Sequence, residues 1–286
     1  MTKLIGVSAK KANIQQVTAS EVYVLEDVLS VEEPLEIRLR YRSGSQLISS
    51  NVSVTMRTPG NDEDLALGFL FTEGIINSIG DIKGVSHSDM SCTDKKENII
   101  VVELMDHAVP NLGTSERNFY TTSSCGVCGK GSIQSIKTVS IYQNIEKSEL
   151  NIHQEYLFGM GRKLKLGQLN FEASGGIHAS GLFNLNADLL VLREDVGRHN
   201  ALDKLIGHYF QQGELPLNDK ILLLSGRASF ELIQKAAMAG IRIVASIGAP
   251  SSLAVELAIE FDITLIGFLK ENRFNIYHSG KNIVLE

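Results

Sequence analysis

Two cysteines with two residues between them, Cys125 and Cys128, carry the most distinctive chemistry in this chain. They stand in the string Thr121-Thr-Ser-Ser-Cys-Gly-Val-Cys-Gly-Lys-Gly-Ser132. The thiolate is the reactive form of cysteine, both as nucleophile and as metal ligand. Glycines 126, 129 and 131, the run of hydroxyl residues and the lack of apolar periodicity predict a mobile loop. Such a loop can carry sulfur between two partners, and Lys130 supplies a positive charge that favours the thiolate. At this spacing the two sulfurs can also meet, so one can relay or resolve the sulfur that the other holds.

Three other uses of the pair compete. A structural zinc takes four ligands and one CxxC supplies two; Cys92, His87 and His107 could add donors, but no second pair has ligand spacing. A thioredoxin-like redox pair opens a helix, which Gly129 and Gly131 disfavour. Idle cysteines are usually buried singly among apolar residues; Cys92 falls in that class or is an exposed bystander. Exposed sulfur chemistry accounts best for Cys125 and Cys128, and no intrinsic zinc is expected.

Other segments hold weaker signals. Arg193-Glu-Asp-Val-Gly-Arg-His199 gathers ionisable groups at a strand-to-helix turn. Arg198 and His199 could bind a phosphate or another ligand oxygen there, or Asp195 could cap the turn or pair with Arg198. Ser174-Gly-Gly176 and Ser225-Gly-Arg227 are turns where a ligand could approach closely, or plain tight turns. His178 alone is more often a packed or hydrogen-bonded histidine than a ligand. No phosphate loop of the Gly-x-x-x-x-Gly-Lys-Ser/Thr type exists, and Gly159-Met-Gly161 does not extend into a dinucleotide fingerprint, so ATP hydrolysis and NAD chemistry are not expected.

The elements that must position these residues follow two rhythms. Residues 1–18 are polar and unpatterned and are expected to form a flexible tail. Leu35, Ile37, Leu39 and Tyr41 alternate with charged residues, the period of a half-buried strand. A second strand is expected over 47–56 with Val52, Val54 and Met56 on one face. Asn61 is placed to cap a helix whose first turn is Asp62-Glu-Asp64, with Gly74 near its end. Residues 99–104 read as a buried strand. From residue 152 a helix to 166 is expected, with Tyr156, Leu157, Met160 and Leu164 on one stripe. Strands 189–192, 221–224, 243–246 and 264–268 then alternate with helices 199–209, 230–239 and 252–261, which predicts a largely parallel sheet covered by helices on both sides. The organisation read from these patterns is an α+β N-terminal domain over 19–115, a linker with the CxxC loop over 116–150, and an α/β domain over 151–286.

Composition sets the bounds. A 286-residue chain with 43% hydrophobic residues can bury a real core, and a formal charge of −6 gives no global attraction to nucleic acid or anionic membranes. No apolar run of membrane-spanning length and no secretory signal is seen. Three cysteines are too sparse for a disulfide framework, so a reducing cytoplasm is expected.

Several strings together resemble the FdhD-type formate dehydrogenase accessory sulfurtransferases. They are Thr58-Pro-Gly-Asn-Asp-Glu-Asp-Leu-Ala-Leu-Gly-Phe-Leu-Phe-Thr-Glu-Gly74, Ser123-Ser-Cys-Gly-Val-Cys-Gly129, Ser174-Gly-Gly-Ile-His-Ala179, and Glu194-Asp-Val-Gly-Arg-His-Asn-Ala-Leu-Asp-Lys204. Ser225-Gly-Arg-Ala-Ser229, Gly248-Ala-Pro-Ser-Ser252 and Asn275-Ile-Tyr277 complete the ordered set. The resemblance implies an α/β fold with a C-terminal domain similar to cytidine deaminases, a smaller α+β N-terminal domain, and a homodimer. It implies sulfurtransferase activity: a cysteine desulfurase passes sulfur to the CxxC loop, and the protein hands it to bis-molybdopterin guanine dinucleotide, bound as substrate with molybdenum or tungsten, for formate dehydrogenase. Cys125 would hold the persulfide and Cys128 would assist in relay or exchange. The guanine nucleotide would meet Phe268, Leu269, Lys270, Glu271, Asn272 and Arg273, just beyond a predicted strand, where ligands gather in open α/β sheets. Deaminase chemistry is not expected, because His178 lacks a glutamate two positions on and no Pro-Cys-x-x-Cys follows it. A cofactor-binding chaperone without sulfur transfer, and a thiol–disulfide oxidoreductase, are the alternatives.

Overall fold

Alternation and turn chemistry become a layered α/β structure in the computed structural model, which describes residues 8–88, 98–112, 140–142, 148–281 and 283–285. The CxxC loop and Cys92 lie outside the described residues. The first strands are β1 (Ala9–Val17) and β2 (Val22–Ser30), an antiparallel ribbon. Residues 9–17, expected as part of a flexible tail, are instead a strand. Their pattern is weak because both faces of the ribbon are largely exposed, and pairing with β2 supplies the order that burial does not. The ribbon is fastened to the body by Ser8, which donates to Asn170 Oδ1 at 2.8 Å, and by a 2.5 Å bond between Ser30 and Ser174.

A four-stranded sheet comes next, from β3 (Glu33–Ser43), β4 (Gln46–Arg57), β5 (Ile82–His87) and β6 (Ile99–Leu104), in the order β4-β3-β6-β5. Leu35, Ile37 and Leu39 are fully buried, as their alternation requires. In β4 the expected face is corrected. The register slips beside Ile37, Val52 falls in the bulge and turns inward, and Met56 stands 45% exposed. A bulge adds one residue and so inverts the facing of the residues beyond it.

Helix α1 (Asp62–Thr72) is apolar on every side, with Leu65, Leu67, Leu70 and Phe71 fully buried. A helix of that kind must lie between two layers. Asn61 does not cap it through its side chain; its backbone is left-handed, φ 55°. Asp62 takes the Arg57 guanidinium at 3.0 and 2.9 Å, and Asp64 takes Arg193 at 3.1 and 2.9 Å. The acidic first turn therefore serves buried ion pairs as well as the helix dipole.

The second half begins with β7 (Leu150–Ile152), α2 (Gln154–Phe158), α3 (Met160–Gly167) and α4 (Leu169–Ser174). The single expected helix is broken at Gly159, and only Leu157, Met160 and Leu164 of its stripe are buried; Tyr156 is 43% exposed. Then come β8 (His178–Phe183), β9 (Leu189–Asp195), α5 (Arg198–Gln212), β10 (Ile221–Leu224), α6 (Phe230–Met238), β11 (Ile243–Ser246), α7 (Ser252–Phe261), β12 (Thr264–Gly267), β13 (Asn275–His278) and β14 (Ile283–Leu285). Strand order is β13-β12-β11-β10-β8-β9. Only β10, β11 and β12 are mutually parallel; β8, β9 and β13 run antiparallel to their neighbours, so the largely parallel sheet is corrected to a mixed one. Strand β8 escapes sequence reading because Ala179, Ser180 and Gly181 carry little strand propensity.

One hydrophobic core runs from β3 and β6 through α1 and α5 to α6 and α7; a second lies under α2 and α3 on the opposite face of the large sheet. Helices α1 and α5 cross at two glycines. A Cβ on Gly68 would lie 1.9 Å from the Asp203 carbonyl oxygen, and one on Gly207 would lie 1.8 Å from that of Asp64. Gly207→Ala is therefore expected to force the helices apart and destabilise the fold by about 3 kcal/mol, the upper end of ordinary overpacking. Gly84→Ala, whose Cβ meets nothing within 4 Å, serves as the control. Denaturant midpoints of the two variants check this, and equal midpoints would contradict it.

Candidate functional site

Strand direction decides which loops meet. Strands β10, β11 and β12 end at the same edge of the sheet, and the antiparallel β8 begins there while β9 ends there. The segments Ser174–Ala179, Glu194–Lys204, Ser225–Ser229 and Gly248–Ser252 are thus brought to one edge from four places in the chain. Backbone bonds hold their loops side by side beyond the strands. Ile247 N–H donates to Leu224 O at 3.0 Å, Gly248 N–H to Gly226 O at 3.0 Å, Phe268 N–H to Gly248 O at 3.0 Å, and Leu269 N–H to Ser246 O at 3.1 Å. Gly248 suits this stacking, since a Cβ would come 3.0 Å from Arg227 Cγ and 3.1 Å from Gly226 O and would push its neighbours by a few tenths of an ångström.

A cavity of about 620 Å³ opens along this edge on the α3 side. That volume is in the range of small-molecule sites, which in open α/β sheets lie beyond the carboxyl ends of the strands. Its walls include Gly161 and Lys165 from α3, Gln168 and Phe171, His178, Ser225, and Leu269-Lys-Glu271. Three of the six residues predicted for the nucleotide therefore line it. Leu269 is 2% exposed and anchors the segment in the core under α3. Lys270 and Glu271 are exposed and present their charges, in a turn closed by Lys270 N–H donating to Arg273 O at 2.9 Å. Asn272 and Arg273 lie exposed beyond the lining. Phe268 is 40% exposed with φ 52°, a left-handed conformation that a bulky residue keeps only where the surroundings impose it. Cys125 and Cys128 lie outside the described residues.

Sequence reasoning misses the α3 wall. Gly159-Met-Gly161 reads in the sequence only as a failed dinucleotide fingerprint, yet a Cβ on Gly161 would press to 3.3 Å from Ile247 Cδ1. Nothing in local periodicity marks Lys165, Gln168 or Phe171 as lining, because they reach the cavity only through packing. Among the described residues no three His, Cys, Asp or Glu side chains are grouped to hold a metal ion.

The β9–α5 turn is set by a buried charge network. Asp195 does not pair with Arg198. It takes Lys204 Nζ at 2.7 Å and accepts from the N–H groups of Thr58 at 3.0 Å and Gly197 at 2.8 Å, and from Asn200 Nδ2 at 3.1 Å. Lys204 also donates to Thr58 O at 2.7 Å, and Asn200 to Met56 O at 2.8 Å. The Thr58–Gly74 and Glu194–Lys204 strings thus bond to one another. A second buried group joins Lys235, Asp203, Thr72 and Glu73 across α6, α5 and α1. His199 meets Glu231 at 2.8 Å, and that hydrogen bond, against the opposing effect of burial, holds the Glu231 carboxyl below its usual range.

Comparison with known proteins matches residues 30–284 to the model of the FdhD/NarQ family. The chain is 40% identical over 284 residues to the sulfur carrier protein FdhD of Streptomyces coelicolor, covering 98% of each chain. Identity is 44% over 277 residues to the protein of the same name from Mycolicibacterium paratuberculosis, covering 96% of this chain and 98% of that one. It is 39% over 279 residues to the one from Saccharolobus solfataricus, covering 98% and 100%. A crystal structure from Desulfotalea psychrophila, described as a formate dehydrogenase accessory protein, superposes with a TM-score of 0.67 at 22% identity, covering 97% of this chain and 100% of that one, and supports the α/β fold.

Proposed function

The chain belongs to the FdhD/NarQ family, and on that premise we propose that it is a sulfurtransferase of the persulfide-relay type that serves formate dehydrogenase. Sulfur comes from a cysteine desulfurase, rides on Cys125 as a persulfide with Cys128 assisting, and passes to bis-molybdopterin guanine dinucleotide bound as substrate. The working form is a cytoplasmic homodimer, with molybdenum or tungsten as the metal of the cofactor it serves.

The observation that carries the sulfur role is the end-to-end match to curated sulfur carriers, 98% of each chain at 40% identity. Geometry supports the nucleotide half of the reading. The cavity is of ligand size, and it joins an apolar wall to a few polar groups, as binding sites do. Lys270 suits a phosphate as a point charge, Glu271 suits the N–H edge of guanine, and exposed Phe268 offers a face for stacking.

The test is mass spectrometry of the full chain after incubation with a cysteine desulfurase and cysteine. One added sulfur atom on the peptide that contains Cys125 is the expected product. A chain that gains no sulfur but still binds the cofactor would be a chaperone, and a reversible Cys125–Cys128 disulfide coupled to turnover would make it an oxidoreductase.

A further inference from the structure

We propose that the corner where β8, β9 and the starts of α5 and α6 meet is a binding site for a phosphate-class oxyanion, with Arg198 and His178 as its direct ligands. The site goes beyond the proposed function and holds whether or not the cavity takes a nucleotide.

Charges at this corner are matched one against another. Asp195 is met by Lys204 at 2.7 Å, Asp64 by Arg193 at 2.9 Å, and Glu231 by His199 at 2.8 Å. Arg198 adds to the field that holds the Glu231 carboxyl down, yet forms no ion pair of its own among the described residues. No hydrogen bond among them reaches its guanidinium, and its Nε atom is closed off from solvent without a partner. A buried guanidinium nitrogen with no acceptor is costly, and an anion removes that cost. The rest of the Arg198 side chain is only partly buried, so its head can be reached.

A second observation stands on its own. Ser180 is 1% exposed and its hydroxyl has no partner among the described residues. It lies two residues along β8 from His178 and turns to the side on which Leu182 joins the α5–α6 core, while His178, at the strand's first position, reaches the cavity at the sheet edge. The His178 side chain is half-buried, and none of the described residues hydrogen-bonds to it. Burial first, then the charges of Arg198 and His199, against the opposing pull of Asp195, hold its pKa below the usual imidazole range. Neutral or protonated, the ring offers at least one N–H donor.

The helix starts already face carboxylates, Asp195 at α5 and Glu231 in the first turn of α6, each with its own basic partner. Neither Gly197 before α5 nor Ser229 before α6 gives its helix a side-chain cap. Donors of this kind, a guanidinium fork, an imidazole and a hydroxyl, suit a group with several oxygen acceptors and two negative charges. Because His178 also lines the cavity, the phosphate could be free or could be an arm of the cavity's own ligand.

Calorimetric titration of the full chain with inorganic pyrophosphate at constant ionic strength tests the site, with the His178 ring resonances followed in parallel. Saturable binding is expected, with His178 shifting in step. Arg198→Gln should weaken binding at least about tenfold, and Arg198→Lys less, since lysine keeps the charge and loses the fork. Absence of saturable binding, equal binding by Arg198→Gln, or His178 resonances that stay still through saturation would each overturn the site. His178→Asn provides the second variant if Arg198→Gln does not fold, and unchanged affinity there also counts against it. Competition by GDP identifies the phosphate as the arm of a cavity ligand; simultaneous binding of both identifies a free anion. Pyrophosphate binding without GDP binding would remove the nucleotide reading and leave this site standing.

Discussion

Formate dehydrogenase activity in a host that carries only the Cys125→Ala form of this protein is expected to fall to background, with the enzyme's polypeptide still present. The substitution keeps the Cβ and deletes the sulfur atom that holds the persulfide in the proposed relay, so a carrier loses its cargo while a binding protein keeps its ligand. Activity measured beside the amount of enzyme protein separates failed maturation from lost enzyme. Undiminished activity would end the carrier role of Cys125. Cys128→Ala is expected to impair less, or equally if relay through both thiols is obligatory.

Lys204→Met is expected to destabilise the fold by about 3–5 kcal/mol, the usual cost of leaving one partner of a buried ion pair behind. The side chains of Lys204 and Asp195 are 2% and 0% exposed, so water cannot replace the lost ammonium. Three donors remain on Asp195, from Thr58, Gly197 and Asn200, which places the expected loss toward the lower figure. The Lys204→Met, Asp195→Asn pair should recover part of it, because the uncompensated charge is then gone. Urea unfolding midpoints decide the matter, and a shift corresponding to less than about 1 kcal/mol would mean that the network holds the turn without stabilising it. Since Lys204 also holds Thr58 O, the same variant should loosen the contact between the two halves of the chain.

Where periodicity is strong, sequence reading and structure coincide. The buried run Ile221–Leu224, the strand Ile243–Ser246 and the helix Ser252–Phe261 are legible because burial on two faces, or along one stripe, leaves a local mark. Strand β1 leaves none, since its order comes from pairing with β2. The antiparallel direction of β8 and β13 is invisible for a related reason, because direction depends on how the chain turns back and not on residue alternation. At the candidate site, the segment from Leu269 to Glu271 is found through resemblance and strand-end logic, while Lys165, Gln168 and Phe171 have no sequence mark.

By itself the sequence determined the chemistry on offer: a CxxC thiol pair, charged strings around tight turns, and a rhythm of strands and helices. Those properties reside in residue type and short spacing, which survive in an unfolded chain. Only the tertiary structure decided which charges are spent and which remain. Asp195 is consumed by Lys204 and the Thr58 backbone rather than by its near neighbour Arg198. Pairing over more than a hundred residues depends on α1 settling against α5 at Gly68 and Gly207, and no local pattern encodes that close approach.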